Sequence, residues 1–162
     1  MRMPQQALAQ ASTKIHAPAE VVWNALTNPE AIERYMFGTR VVSDWHVGHP
    51  ITWQGEWKGR HYEDRGVILA VRPLQLLSYS HYSPLSGLPD APENYHRVTI
   101  ELTPEGPDTG VTLTQDGNRD DEARAHSEEN WKAMLRSLKE LLELSYASYP
   151  AGAPSYFNAS KR

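Results

Sequence analysis

Residues 15–35 read IHAPAEVVWNALTNPEAIERY, and two prolines punctuate them. Pro18 stands where a helix begins, because its missing N–H costs nothing in a first turn. Val21, Val22, Ala25 and Leu26 follow at helical spacing and predict a short amphipathic helix that stops before Pro29. Pro29 in turn opens a second short helix, Glu30 to Met36. Upstream, residues 7–16 alternate loosely and predict a first strand.

Downstream the texture changes. From Gly38 to Asp116, turn signals fall at residues 47–50, 58–59, 72–73, 84–94 and 104–110. The segments between them are rich in Val, Ile, Thr, Tyr and Trp. Connections this short predict consecutive antiparallel hairpins, because parallel strands need long crossovers. Then Trp131, Met134, Leu135, Leu138, Leu141 and Leu142 recur at three- and four-residue steps, with Lys132, Arg136, Lys139 and Glu143 on the other side. That pattern predicts one long amphipathic helix over 121–147, with one face made for burial. A curved sheet with a long helix laid across it satisfies every apolar face. The expected division is one domain over 7–147 and a C-terminal extension over 148–162.

Composition narrows the function classes. The chain has 162 residues, 40% of them hydrophobic and 22% charged, enough to build a core. A formal charge of −4 and the lack of any basic run argue against nucleic acid as a partner. There are no cysteines, so disulfides, thiolate metal sites and thiol nucleophiles are excluded together. No apolar run nears the roughly 20 residues that span a bilayer, and residues 1–12 lack a signal-peptide apolar block. The expectation is a cytoplasmic protein with no membrane insertion.

The 15–35 stretch closely resembles the opening of SRPBCC or START-like domains, within them the group named for activators of the ninety-kilodalton heat-shock-protein ATPase (AHSA-type). The pattern continues with a glycine turn at Val47-Gly48, then Gly66-Val67-Ile68, Pro73 and Leu76-Leu77. It closes with NWKAMLRSLKELLE, Asn130 to Glu143. The resemblance spans about residues 12–145. It implies an α+β helix-grip fold, about seven antiparallel strands wrapped round a long C-terminal helix and enclosing an apolar pocket. It implies no single activity, because the superfamily includes lipid and hormone binders, aromatase/cyclases and chaperone activators.

Strand parity predicts which residues face that pocket, since opposed residues in antiparallel strands share a face. Pairing Trp57 with His61 sets Trp53 against Arg65. Pairing Val71 with Leu77 sets Leu69 against Tyr79 and Val67 against His81. The next hairpins set His81 against His96, Tyr79 against Val98, Ile100 against Leu113 and Val98 against Gln115. One apolar face results, interrupted by His61, Glu63, Arg65, His81, His96 and Gln115. An apolar pocket with a few convergent polar groups suits a small amphipathic molecule. Expected contacts are Trp53, Trp57, Arg65, Val67, Leu69, Tyr79, His81, His96, Val98, Gln115 and Trp131, the three tryptophans stacking a planar ligand. Simple core packing accounts for the tryptophans equally well, as a strand-end ion pair does for Glu63 and Arg65.

His46 and His49 form an HxxH, but Gly48 and Pro50 place them in a turn, so no metal is expected. No cofactor fingerprint is present either. The leading expectation is therefore binding of an aromatic or lipid-like molecule. The alternative is a polyketide cyclase-like enzyme, without metal, in which His81 or His96 acts as acid/base; the balance leans against catalysis. A co-chaperone role stands third, because in the eukaryotic activators it relies on a further domain. Residues 83–93 are long for a hairpin loop and are expected at the pocket mouth. An apolar edge strand or the 146–162 tail offers a route to a homodimer.

Overall fold

The computed structural model describes residues 8–147. Strand β1 (Ala9–Ile15) leads into α1 (Ala19–Leu26) and α2 (Pro29–Tyr35). The strands β2 (Arg40–Ser43), β3 (Pro50–Trp57), β4 (Arg60–Arg72), β5 (Leu76–His81), β6 (His96–Glu105) and β7 (Asp108–Gln115) follow, and α3 (Asp121–Ala147) ends the domain. The seven strands form one antiparallel sheet in the order β1-β7-β6-β5-β4-β3-β2, which is the helix-grip architecture. The 148–162 extension lies outside the described residues. No described helix is long and apolar enough to cross a membrane.

Local chemistry sets the two early helices. Pro18 is extended, with ψ 160°, and its carbonyl accepts from Val22 N–H as α1 begins. Asn28 caps α2, its side-chain oxygen accepting from Glu30 and Ala31 N–H. Their buried faces join Leu135, Leu138 and Leu142 of α3 and the inner side of the sheet in one core.

The predicted pairings of β5, β6 and β7 hold: His81 opposes His96, Tyr79 opposes Val98, and Val98 opposes Gln115. The β3–β4 pairing corrects the expectation by one residue. Lys58 and Gly59 both have positive φ, +52° and +78°, so they alone form the turn, as two-residue hairpins of right-handed twist require. Trp57 therefore faces Arg60, and Trp53 faces Asp64 instead of Arg65. His61, Glu63 and Arg65 point outward, where all three are exposed.

β4 carries a second correction. Ile68, buried to 1% exposure, faces Tyr79, whereas Val67 is 37% exposed. A bulge between Ile68 and Ala70 then restores Val71 opposite Leu77. The predicted pair at Val71 is right, but parity fails upstream of the bulge, so Val67 and Leu69 are not inner-face residues.

The edge strand β1 is tied to α3 by charged groups. Gln10 N–H donates to Glu128 Oε2 at 3.0 Å, and His16 N–H donates to Glu143 Oε2 at 2.8 Å. Lys139 Nζ donates to Lys14 O and to Glu143 Oε2. This occupies backbone groups that an open edge would offer to another chain. The Gln10 amide above all, then Arg124, holds the Glu128 carboxyl below its usual range. For Glu143, Lys139 does so first and the His16 amide second. Because folding depresses both, their contribution is full above the ordinary carboxylate range near pH 4.3 and is lost as pH falls through it. Urea midpoints should therefore drop between about pH 6 and about pH 3, and more shallowly in Glu128→Gln/Glu143→Gln. Identical slopes for the two proteins would refute the assignment.

Candidate functional site

An open cleft of about 530 Å³ lies at the end of the sheet where β5, β6 and β7 meet the first half of α3. Its lip is apolar: Phe37 is 71% exposed, Leu85 40% and Leu88 45%. Trp131 and Met134 of α3 form a wall, and His81, His96 and Gln115 supply polar groups. Phe37 reaches the lip because it has φ +58° in the turn after α2, with Gly38 at +90° beside it. Exposed apolar groups clustered round a concave site are the usual mark of a binding surface.

A second compartment of about 70 Å³ adjoins the cleft. Met36, Thr39, His81 and Trp131 line both. Trp53, Tyr62, Asp64 and Tyr79 complete the inner one. The Trp53 ring lies 5.1 Å from Tyr79 and meets His81 edge-on at 5.0 Å. Burial pushes the Tyr79 hydroxyl well above its ordinary pKa, so it stays neutral.

His81 Nε2 and Asp64 Oδ2 are 2.8 Å apart. A carboxylate can only accept, so Nε2 carries the proton, which leaves Nδ1 of neutral His81 as a base. The Asp64 side chain is 14% exposed and that of His81 28%. Asp64 Oδ1 is buried and has no hydrogen-bond partner among the described residues. His96 is held differently: its Nδ1 donates to Asp116 O at 2.9 Å, and Gly117 leaves room beside the ring.

Gln115 is already engaged. Its Oε1 accepts from Trp131 Nε1. Asn118 Nδ2 donates to the Gln115 carbonyl at 3.2 Å, and Ser127 Oγ donates to Asn118 Oδ1 at 2.7 Å. This network sets the Trp131 ring against the cleft.

Six of the residues expected at the pocket therefore border the two compartments: Trp53, Tyr79, His81, His96, Gln115 and Trp131. Trp57 does not; it is 55% exposed at the strand end, with Lys58 Nζ 4.7 Å above its ring. Val67 and Leu69 lie on the other face of β4. Val98 is fully buried in the core and lines neither compartment. Arg65 also points away, donating to Asp90 Oδ2 at 3.0 Å. Tyr95 donates to Asp90 Oδ1, and Tyr82 donates to Leu88 O, so this side of β4 braces the 83–95 loop. The loop borders the cleft through Ser83, Leu85, Ser86, Leu88 and Asn94.

Sequence reasoning missed Thr39, Tyr62 and Asp64. Taking Lys58-Gly59 as the whole turn would have placed Tyr62 and Asp64 on the face of Trp53; nothing local marks Thr39. Residues 44–49 form an exposed turn. Although it is no helix, it brings Asp44, His46 and His49 together, with ligand-type atoms within 4.8 Å of one another. His49 first, then the His46 amide, keeps the Asp44 carboxyl below its ordinary range. This cluster is separate from the cleft.

Known proteins share this architecture. The solved structure of ChR145 from Cytophaga hutchinsonii is 52% identical, over 91% of this chain and 99% of its own, with a TM-score of 0.78. The Aha1 dimer from Colwellia psychrerythraea is 19% identical over 84% of this chain and 96% of its own, with a TM-score of 0.67. DynU16, described as a protein in the dynemicin biosynthetic locus, is 18% identical over 85% of this chain and 47% of its own, with a TM-score of 0.69. The last two likenesses are of fold. No curated protein matches the chain. The model of a family described as activator of Hsp90 ATPase homolog 1-like protein matches residues 16–143, and the chain belongs to that family.

Proposed function

We propose that this protein binds a small aromatic or lipid-like molecule in the cleft between β5–β7 and α3. The cleft itself carries the reading: about 530 Å³, with exposed Phe37, Leu85 and Leu88 at the lip and His81 and His96 among its polar groups. That volume lies within the range of small-molecule sites, and the mix of apolar wall and few polar groups fixes a ligand's orientation.

Native mass spectrometry of gently purified protein, before and after organic extraction, tests the proposal. An added mass lost on extraction is expected. Asn130→Trp, which fills the cleft from the exposed surface of α3, should abolish it while leaving the circular dichroism unchanged. Bare protein throughout, together with no binding of aromatic and acyl compounds at millimolar concentration, would overturn the reading.

The pairing of His81 with Asp64 favours a second reading, a cyclase-like enzyme acting on a polyketide-like substrate. His81 would be the acid/base and Asp64 the group that fixes its tautomer. The place of DynU16 in a biosynthetic locus is in keeping with it. We also propose that a homodimer forms through edge strand β2, where Val42 is 63% exposed; a solved Aha1 relative is a dimer.

A further inference from the structure

The inner compartment differs from the cleft in what it leaves unsatisfied. Two of its hydroxyls pair with each other, Thr39 Oγ1 and Tyr62 Oη standing 2.9 Å apart. One of the two protons is used in that bond and the other stays uncommitted. The His81 ring is engaged with Asp64 Oδ2. Asp64 also lines this space of about 70 Å³, and its Oδ1 is a buried acceptor without a partner among the described residues. Trp53, Tyr79, Met36 and Trp131 make the rest of that wall apolar or aromatic. A buried carboxylate oxygen in such surroundings is costly to leave unmade, so whatever supplies a proton there is favoured over whatever does not.

We propose that this compartment is a donor-selective subsite: Asp64 Oδ1 accepts a hydrogen bond from a hydroxyl at the buried end of an amphipathic ligand whose apolar body fills the cleft. The inference rests on the cleft being a ligand site. A hydroxyl suits the space better than an ether or a methyl group. It donates to Asp64 and can accept the proton that the Thr39–Tyr62 pair leaves uncommitted. The compartment is too small for a ring system but has room for one polar group, so the ligand's body must stay in the cleft. The four residues common to both spaces, Met36, Thr39, His81 and Trp131, form the passage. Asp64 then acts twice, through Oδ2 in orienting His81 and through Oδ1 in selecting the ligand.

Two probes of nearly equal apolar surface separate the outcomes: 2-naphthol, which can donate, and 2-methoxynaphthalene, which cannot. Equilibrium dialysis against the full chain should show 2-naphthol binding about ten- to a hundred-fold more tightly, the usual worth of a hydrogen bond to a charged group. In Asp64→Asn, which keeps the shape and removes the charge, the ratio should fall to about threefold or less. The wild-type ratio needs no variant, so the proposal survives a substitution that fails to fold. Equal binding of both probes to the wild type would overturn the donor subsite and leave the cleft as a ligand site, its inner space holding water. A large ratio that persists in folded Asp64→Asn would also overturn it, placing recognition of the hydroxyl elsewhere. Binding of neither probe at millimolar concentration would overturn the subsite and count against the cleft as well.

Discussion

Leu138→Ala is expected to destabilise the fold by about 2–5 kcal/mol, the range for removing a fully buried leucine. Leu138 is 0% exposed and sits in the middle of the apolar face of α3. The core cluster it belongs to joins the early helices to the inner face of the sheet, so no single element can shift to close the gap. For a domain of this size that cost corresponds to a fall in Tm of roughly 4–20 °C. Leu144→Ala is the matched control. Leu144 lies six residues further along the same helix at 77% exposure, and its loss should change stability by no more than about 0.5 kcal/mol. Thermal unfolding of the two variants by circular dichroism decides it. Equal shifts would mean that α3 is not gripped by the sheet.

Gly66→Ala should be nearly as severe for a different reason. A Cβ on Gly66 would stand 1.7 Å from the carbonyl oxygen of Ser80 and 2.6 Å from its carbon. Both are backbone atoms of β5, so no side-chain rotation relieves the contact. Regular pairing is already interrupted here: Arg65 bridges Tyr82, Ile68 pairs with Tyr79, and between them Val67 N–H donates to Ser80 Oγ. The alanine must push β5 away from β4, at a cost of about 3 kcal/mol, the upper part of the overpacking range. Tm should fall by about 6–12 °C. His81 follows Ser80 directly, so the shift also separates it from Asp64, and the NMR resonances of the His81 ring should move as Tm falls. A Tm within about 2 °C of wild type would show that the strands separate freely at this point.

Much of the site was legible before the fold was known. The pairing of His81 with His96 and of Val98 with Gln115 followed from short loops and strict alternation, because the β5–β7 hairpins contain no bulge. Trp131 followed from its place on the apolar stripe of α3. The parity errors sit on β4, whereas Trp57 misses the pocket because it lies exposed at the end of β3 and Val98 because it is sealed in the core. A turn two residues long where three were assumed, and one extra residue at Leu69, each reverse parity, and between them they exchanged Asp64 for Arg65 and Ile68 for Val67. A residue that alternation places inside is wrong by a whole face when the count slips by one, so Arg65 and Val67 failed while their neighbours were correct.

The amino-acid sequence alone determined the element order, the antiparallel hairpins and the buried stripe of α3. These depend on periodicity, proline and glycine placement and short connections, all of them local properties. Only the tertiary structure decided which polar groups meet. Asp64 and His81 stand 17 positions apart in sequence, and their contact depends on the register of β4 with β5 and on the close approach that Gly66 allows. Thr39 joins them from the turn after α2, and Trp131 from a helix whose angle is set by the whole core. A cleft is the space left between packed elements. Its shape and its unpaired carboxylate oxygen are therefore properties of the packing and cannot be read from any one segment.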